Sequence, residues 1–143
     1  MMLNLQAFLD KVIDIIRADD AEGYLSMIDL PYQVITARDT RTFVHRRDMR
    51  EHFHLFRIGL HQMGFSDLHH RANSATMLGA DLATGIYETE LFRDDQLFVA
   101  PYRSCITLRR SEGVWRAVST AHTIGHADWM DRMNAVSGMH TTD

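Results

Sequence analysis

The sequence predicts an α+β fold in which three N-terminal helices pack on one face of a curved, mostly antiparallel sheet. Three observations carry this expectation. Helical periodicity is concentrated before Gly64, strand texture broken by tight turns fills the stretch from Leu68 to Ile124, and 143 residues suffice for one hydrophobic core but not comfortably for two.

Leu5, Phe8, Leu9, Val12, Ile13 and Ile16 recur along one helical face, with Asp10, Lys11, Asp14 and Arg17 opposite, so residues 5–18 read as an amphipathic helix. Asp19 or Asp20 caps a second, short helix through Tyr24, Leu25 and Ile28. Leu30-Pro31 ends it, because the residue before a proline avoids helical geometry. The strand YQVIT follows, and the turn composition of ARDTR opens a hairpin that finishes near His45. Met49, Phe53, Phe56, Leu60 and Met63 step by four and three residues, which predicts a third helix over 47–63 with Gly64 as its C-cap.

Four strands are then expected: LHHRANSATML, LATGIYETELF, LFVAPYRSCITLRR and VWRAVSTAHTI, joined by GAD, RDDQ and SEG as an antiparallel meander. A sheet curling around helices of this length leaves a hollow at one end. One domain is expected over residues 1–126. Residues 127–143 form a tail able to make a short helix with Trp129, Met130 and Met133 on one side, packed on its own domain or on a partner subunit.

Composition narrows the function classes. Apolar residues make up 45% and charged residues 24%, without a membrane-length apolar run, so no membrane partner is expected. A net charge of −4 supplies no field for nucleic acid. The N-terminus lacks the pattern of a signal peptide, and Cys105 is the only cysteine, which together suggest a cytoplasmic, reducing environment and exclude a thiolate zinc site. None of the nine histidines shows a helical HxxxH pairing with a nearby carboxylate, so no metal and no other cofactor is expected.

The order of elements, together with DAEGYLSMID, FSDLHHRANSATMLGADLA and RRSEGVWRA, resembles the NTF2-like superfamily in its SnoaL-like branch across roughly residues 5–125. The resemblance implies an NTF2-like (cystatin-like) cone with a small-molecule pocket, and relatives that commonly pair as homodimers. These strings are fold signatures rather than catalytic ones. VAP at Val99–Pro101 is similar to the ketosteroid isomerases, yet the acid of that family would fall at Arg103, and QVIT lacks its base. The Asp-Arg-Asp set of the epoxide hydrolases has no match either, which speaks against both activities.

The adjacent pair His69 and His70 must point to opposite faces of a strand, so the two cannot share one metal. Alternation places Leu68, His70, Ala72, Ser74 and Thr76 inward. A register similar to dehydratase-type relatives would instead choose His69 with Asn73, and both remain open at this level. His70 and His122 are the candidate acid or base of a cofactor-free site. Tyr24, Tyr32, His52, Tyr87, Tyr102 and Arg103 are candidate pocket-lining residues, with Asp29, Glu88 and Glu90 as further possibilities. An inward Arg103 would favour an anionic ligand. A non-catalytic ligand-binding or homodimerisation domain is the alternative, because Val114, Val118 and Ile124 are set against Trp115, Ala117 and Ala121 as if both faces of the last strand were covered.

Overall fold

The computed structural model describes residues 2–62, 64–97 and 100–122. Its elements run α1 (Leu5–Arg17), α2 (Ala21–Ser26), β1 (Ile28–Ile35), β2 (Thr40–Phe43), α3 (Arg46–Gln62), β3 (Asp67–Met77), β4 (Leu82–Arg93), β5 (Gln96–Leu97), β6 (Tyr102–Ser111) and β7 (Val114–His122). The strands form one sheet in the order β2-β1-β7-β6-β4-β3, with β5 paired to β4. Every pairing is antiparallel except that of β1 with β7. The three helices pack on one face, as the helical and strand periodicities predict, and the architecture is the α+β, cystatin-like one. Among the described residues no helix is long and apolar enough to cross a membrane.

Local signals explain where the helices begin and end. Asn4 caps α1 by accepting from the Ala7 N–H at 3.0 Å. At the other end Asp19 adopts φ 54°, and the Asp20 and Asp19 N–H groups return to the carbonyls of Ile15 and Ile16. The two aspartates thus divide the work: Asp19 closes α1, and Asp20 starts α2 by accepting from the Gly23 N–H at 2.9 Å. Gly64, at φ 76°, ends α3 in the same way, with the Phe65 N–H bonded to Leu60 O and the Gly64 N–H to His61 O.

Two expectations about boundaries are corrected. The second helix stops at Ser26 rather than near Leu30, because the strand begins at Ile28, whose partner Ala117 also donates its N–H to Met27 O at 2.9 Å. Tertiary pairing here outweighs the local helical pattern. Pro31, which has no N–H to donate, falls inside the register break between Ile28 and Gln33. The expected third strand of the meander is divided into β5 and β6, with Asp94 and Asp95 at positive φ forming the hairpin turn between β4 and β5. The expected C-terminal helix and the side chains of Met63, Val99 and Ile124 lie outside the described residues.

Two apolar clusters fill the space between helices and sheet. One centres on Leu5, Leu9, Met49, Ile106 and Leu108, the other on Ile13, Ile16, Phe53, Leu60, Leu68 and Leu91, and Phe8 and Tyr24 touch both. Gly85 lets α1 approach the sheet: a Cβ there would lie 2.5 Å from Leu5 Cδ2 and 3.2 Å from Ser74 O. Gly85→Val is therefore expected to destabilise the fold by about 1–3 kcal/mol in urea unfolding. Gly79→Ala, with open space around it, is expected to stay within about 0.5 kcal/mol.

Candidate functional site

Between the two apolar clusters lies a cavity of about 890 Å³, walled by α1, α2, α3 and the inner face of the sheet. The register of the strands arranges its polar groups in rows. His70, Thr89 and Tyr102 lie side by side across β3, β4 and β6. One row on, Ala72, Tyr87, Ser104 and His122 cross β3, β4, β6 and β7. Beyond them Thr120 sits beside Ile106, and its hydroxyl is hydrogen-bonded to that of Tyr32.

Two irregularities decide which residues face this space. A register shift between Thr107 and Leu108 on β6 makes the stretch Ala117–Ser119 of β7 one residue longer than its partner, so Ala117, Thr120 and His122 line the cavity although 117 and 120 differ in parity. Ala121, expected on the side of Ala117, instead pairs with Cys105 on the outer face. On β3 a shift between Ala72 and Ser74 sends Ser74 and Thr76 outward, contrary to simple alternation, as partners of Ile86 and Thr84.

His70 is held firmly. Gln6 of α1 donates its side-chain amide to His70 O at 2.9 Å and accepts from the Ala72 N–H at 2.8 Å, completing the free edge of β3 as another strand would. The His70 ring meets Tyr87 edge-on at 4.9 Å, and its Nδ1 is buried without a hydrogen-bond partner among the described residues. His122 is placed differently: its Nδ1 lies 2.8 Å from Ser104 Oγ, and Ser104 stands opposite Tyr87 in the strand register. A polar row, Tyr87, Ser104 and His122, therefore crosses three strands and ends in the Ser104–His122 hydrogen bond.

Burial keeps these groups uncharged. It lowers His70 from the ordinary 6.5 to about 4, helped by the nearby His122, and it lowers His122 likewise to about 4. It pushes the Tyr32 hydroxyl up to about 12 and those of Tyr24 and Tyr87 well above their usual range. The charged wall residues are Asp39, Arg41, Asp48 and Glu51, on the hairpin and α3, where the cavity opens to solvent.

Tyr24, Tyr32, His52, Tyr87, Tyr102, His70 and His122 thus share one cavity. His69 does not: it is exposed, 3.1 Å from Asp67, which in turn holds Arg17 through two hydrogen bonds. Arg103 is a correction. Ser104 faces inward, so its neighbour Arg103 must face out, where it is exposed and 3.9 Å from Glu88. Glu90 pairs with Arg71 and Asp29 with Arg109, both outside the cavity. Sequence reasoning missed Gln6, Thr89, Ser104 and Thr120. Small polar residues in a strand look like its wet face, and nothing local marks a residue whose partner is 18 positions away.

No family model matches the chain, and no curated protein matches it. Solved structures do. An NTF2-like protein of unknown function from Shewanella oneidensis is 11% identical with a TM-score of 0.65, over 83% of this chain and 95% of its own. An NTF2-like protein with a cystatin-like fold from Novosphingobium aromaticivorans is 18% identical with a TM-score of 0.63, over 90% and 85%. A protein of unknown function with a cystatin-like fold from Nostoc punctiforme is 15% identical with a TM-score of 0.62, over 89% and 97%. The chain has the NTF2-like fold.

The two buried histidines give a pH dependence of stability. Their folded pKa values lie below the unfolded 6.5, so between about pH 6.5 and 4 the unfolded chain takes up protons that the folded chain refuses. Stability is expected to be unaffected by either group above this window. It is expected to fall as pH drops through it, by at most about 1.4 kcal/mol per pH unit for each histidine. Urea unfolding at pH 7.5, 6 and 5 checks this, and His70→Gln with His122→Gln is expected to flatten the decline.

Proposed function

We propose that the chain is a small-molecule pocket protein whose cavity moves a proton on a polar organic ligand without a cofactor, with His122 as the acid or base. The observation that carries this reading is the Ser104–His122 hydrogen bond on the wall of a cavity whose charged lining residues stand at its mouth. Ser104 engages Nδ1 and so leaves Nε2 as the nitrogen for a ligand. The serine has one proton. If it donates to Nδ1, Nε2 carries hydrogen and acts as donor or acid. If Nδ1–H donates to the serine, Nε2 holds a lone pair and acts as base. Ser104 is then a positioning residue, orienting the imidazole and stabilising the protonated ring.

Ligand-detected NMR of neutral aromatic and carbonyl compounds finds binders, and exchange of their acidic C–H protons in D2O reports turnover. His122→Gln is expected to slow exchange by about 10²–10⁴. Ser104→Ala is expected to lower kcat with KM nearly unchanged. Binders that exchange equally fast with His122→Gln would leave a binding protein and remove the catalytic role.

One observation favours a second reading, a homodimer formed through the outer sheet face. Across β4, β6, β7 and β1, Ile86, Cys105, Ala121 and Ile35 make an uncharged row in which both isoleucines are more than one-third exposed. Ile86→Lys is expected to weaken self-association at least tenfold in sedimentation equilibrium. A wild-type monomer at tens of micromolar would end this reading.

A further inference from the structure

We infer that the cavity selects an uncharged ligand, and that the unpartnered imidazole of His70 recognises the ligand's polar substituent. This rests on the pocket reading above and specifies what the pocket takes.

The charge selection follows from where ionised groups stand. Among the described residues the interior is lined by tyrosines, threonines, His52, His70, His122 and apolar side chains, and burial keeps His70 and His122 neutral. The mouth carries Asp39, Asp48 and Glu51 with Arg41, and among the described residues an anion meets no lysine or arginine beyond it. Arg103, the guanidinium that would have paired with it, stands on the far side of the sheet. A cation finds carboxylates only where water also reaches them. Either ion would lose its hydration in the interior without a counter-charge, which disfavours its binding.

The role of His70 follows from a contrast between the two histidines. His122 is satisfied within the protein by Ser104, whereas Nδ1 of His70 is buried with no hydrogen-bond partner among the described residues. Gln6 fixes the His70 backbone, and the ring packs edge-on against Tyr87 on the cavity wall. The χ2 torsion of histidine is roughly two-fold, so a half-turn exchanges the positions of ring nitrogen and ring carbon. A neutral imidazole both accepts and donates, so it fits a hydroxyl or an amide. A buried polar atom left unpaired is costly, and a ligand that supplies the partner recovers that cost.

Four biphenyl probes separate the possibilities by calorimetry: 4-hydroxybiphenyl, 4-methylbiphenyl, biphenyl-4-carboxylate and 4-biphenylmethylammonium. The expected result is that 4-hydroxybiphenyl binds about tenfold or more tightly than the other three. His70→Phe, which keeps a ring against Tyr87, is expected to remove that advantage over 4-methylbiphenyl while leaving the methyl compound within about twofold. A shift of the His70 ring ¹⁵N resonances on adding 4-hydroxybiphenyl, but not 4-methylbiphenyl, is the accompanying signature. Tighter binding of the carboxylate or the ammonium overturns the charge selection and leaves the pocket reading standing. An unchanged hydroxyl preference in His70→Phe overturns the role of His70. Failure of all four probes to bind the wild type overturns the pocket reading and this inference with it.

Discussion

One inserted residue in a β-strand reverses which of the following side chains face inward, and the cavity of this protein owes its polar wall to that constraint. Without the shift near Val118, the inward series on β7 would continue from Ala117 through Ser119 and Ala121, and His122 would point away. With it, Thr120 and His122 come round to meet Tyr32 and Ser104. The shift on β3 acts oppositely. It leaves Leu68, His70 and Ala72 on the cavity side and turns Ser74 and Thr76 outward, so the polar wall is confined to the end of the sheet nearest α3.

Holding so many polar side chains away from water has to be offset, and the structure does this chiefly by keeping them neutral and bonded to one another. Tyr32 is hydrogen-bonded to Thr120, and His122 to Ser104. Pairs of this kind contribute only about 1 kcal/mol each, but leaving them unmade would cost more. Ion pairs stay outside. Glu22 with Arg46 and Arg50, and Asp67 with Arg17, tie helix to helix and helix to strand at exposed positions where such pairs add little to stability but hold orientation. His70 stands apart from this economy of satisfied groups, which is why it attracts attention.

The three solved structures named above share this fold at 11–18% identity, so what they have in common with this chain is the arrangement of helices over a bent sheet. The chemistry of a cavity is set by the handful of side chains that line it, which identity at this level does not carry across. Here the departure is legible in single residues: Arg103 lies outside, and Ser104 lies inside next to it.

The amino-acid sequence by itself determined the three helices, a cap at Asp19 or Asp20 and another at Gly64, the hairpin turns and the α+β class. Each depends on residues within a few positions of one another, and periodicity and turn chemistry report such local preferences directly. Alternation along an uninterrupted strand also offered His70 for the inner face, with His69 left open as the other register, and made the tyrosines candidates for it. Tertiary structure alone decided where α2 yields to β1, that Gln6 completes the edge of β3, that Arg103 faces solvent and that Ser104 meets His122. Those outcomes rest on pairing between strands distant in the chain, where the register of one strand is set by hydrogen bonds to another and a single unpaired residue changes the face.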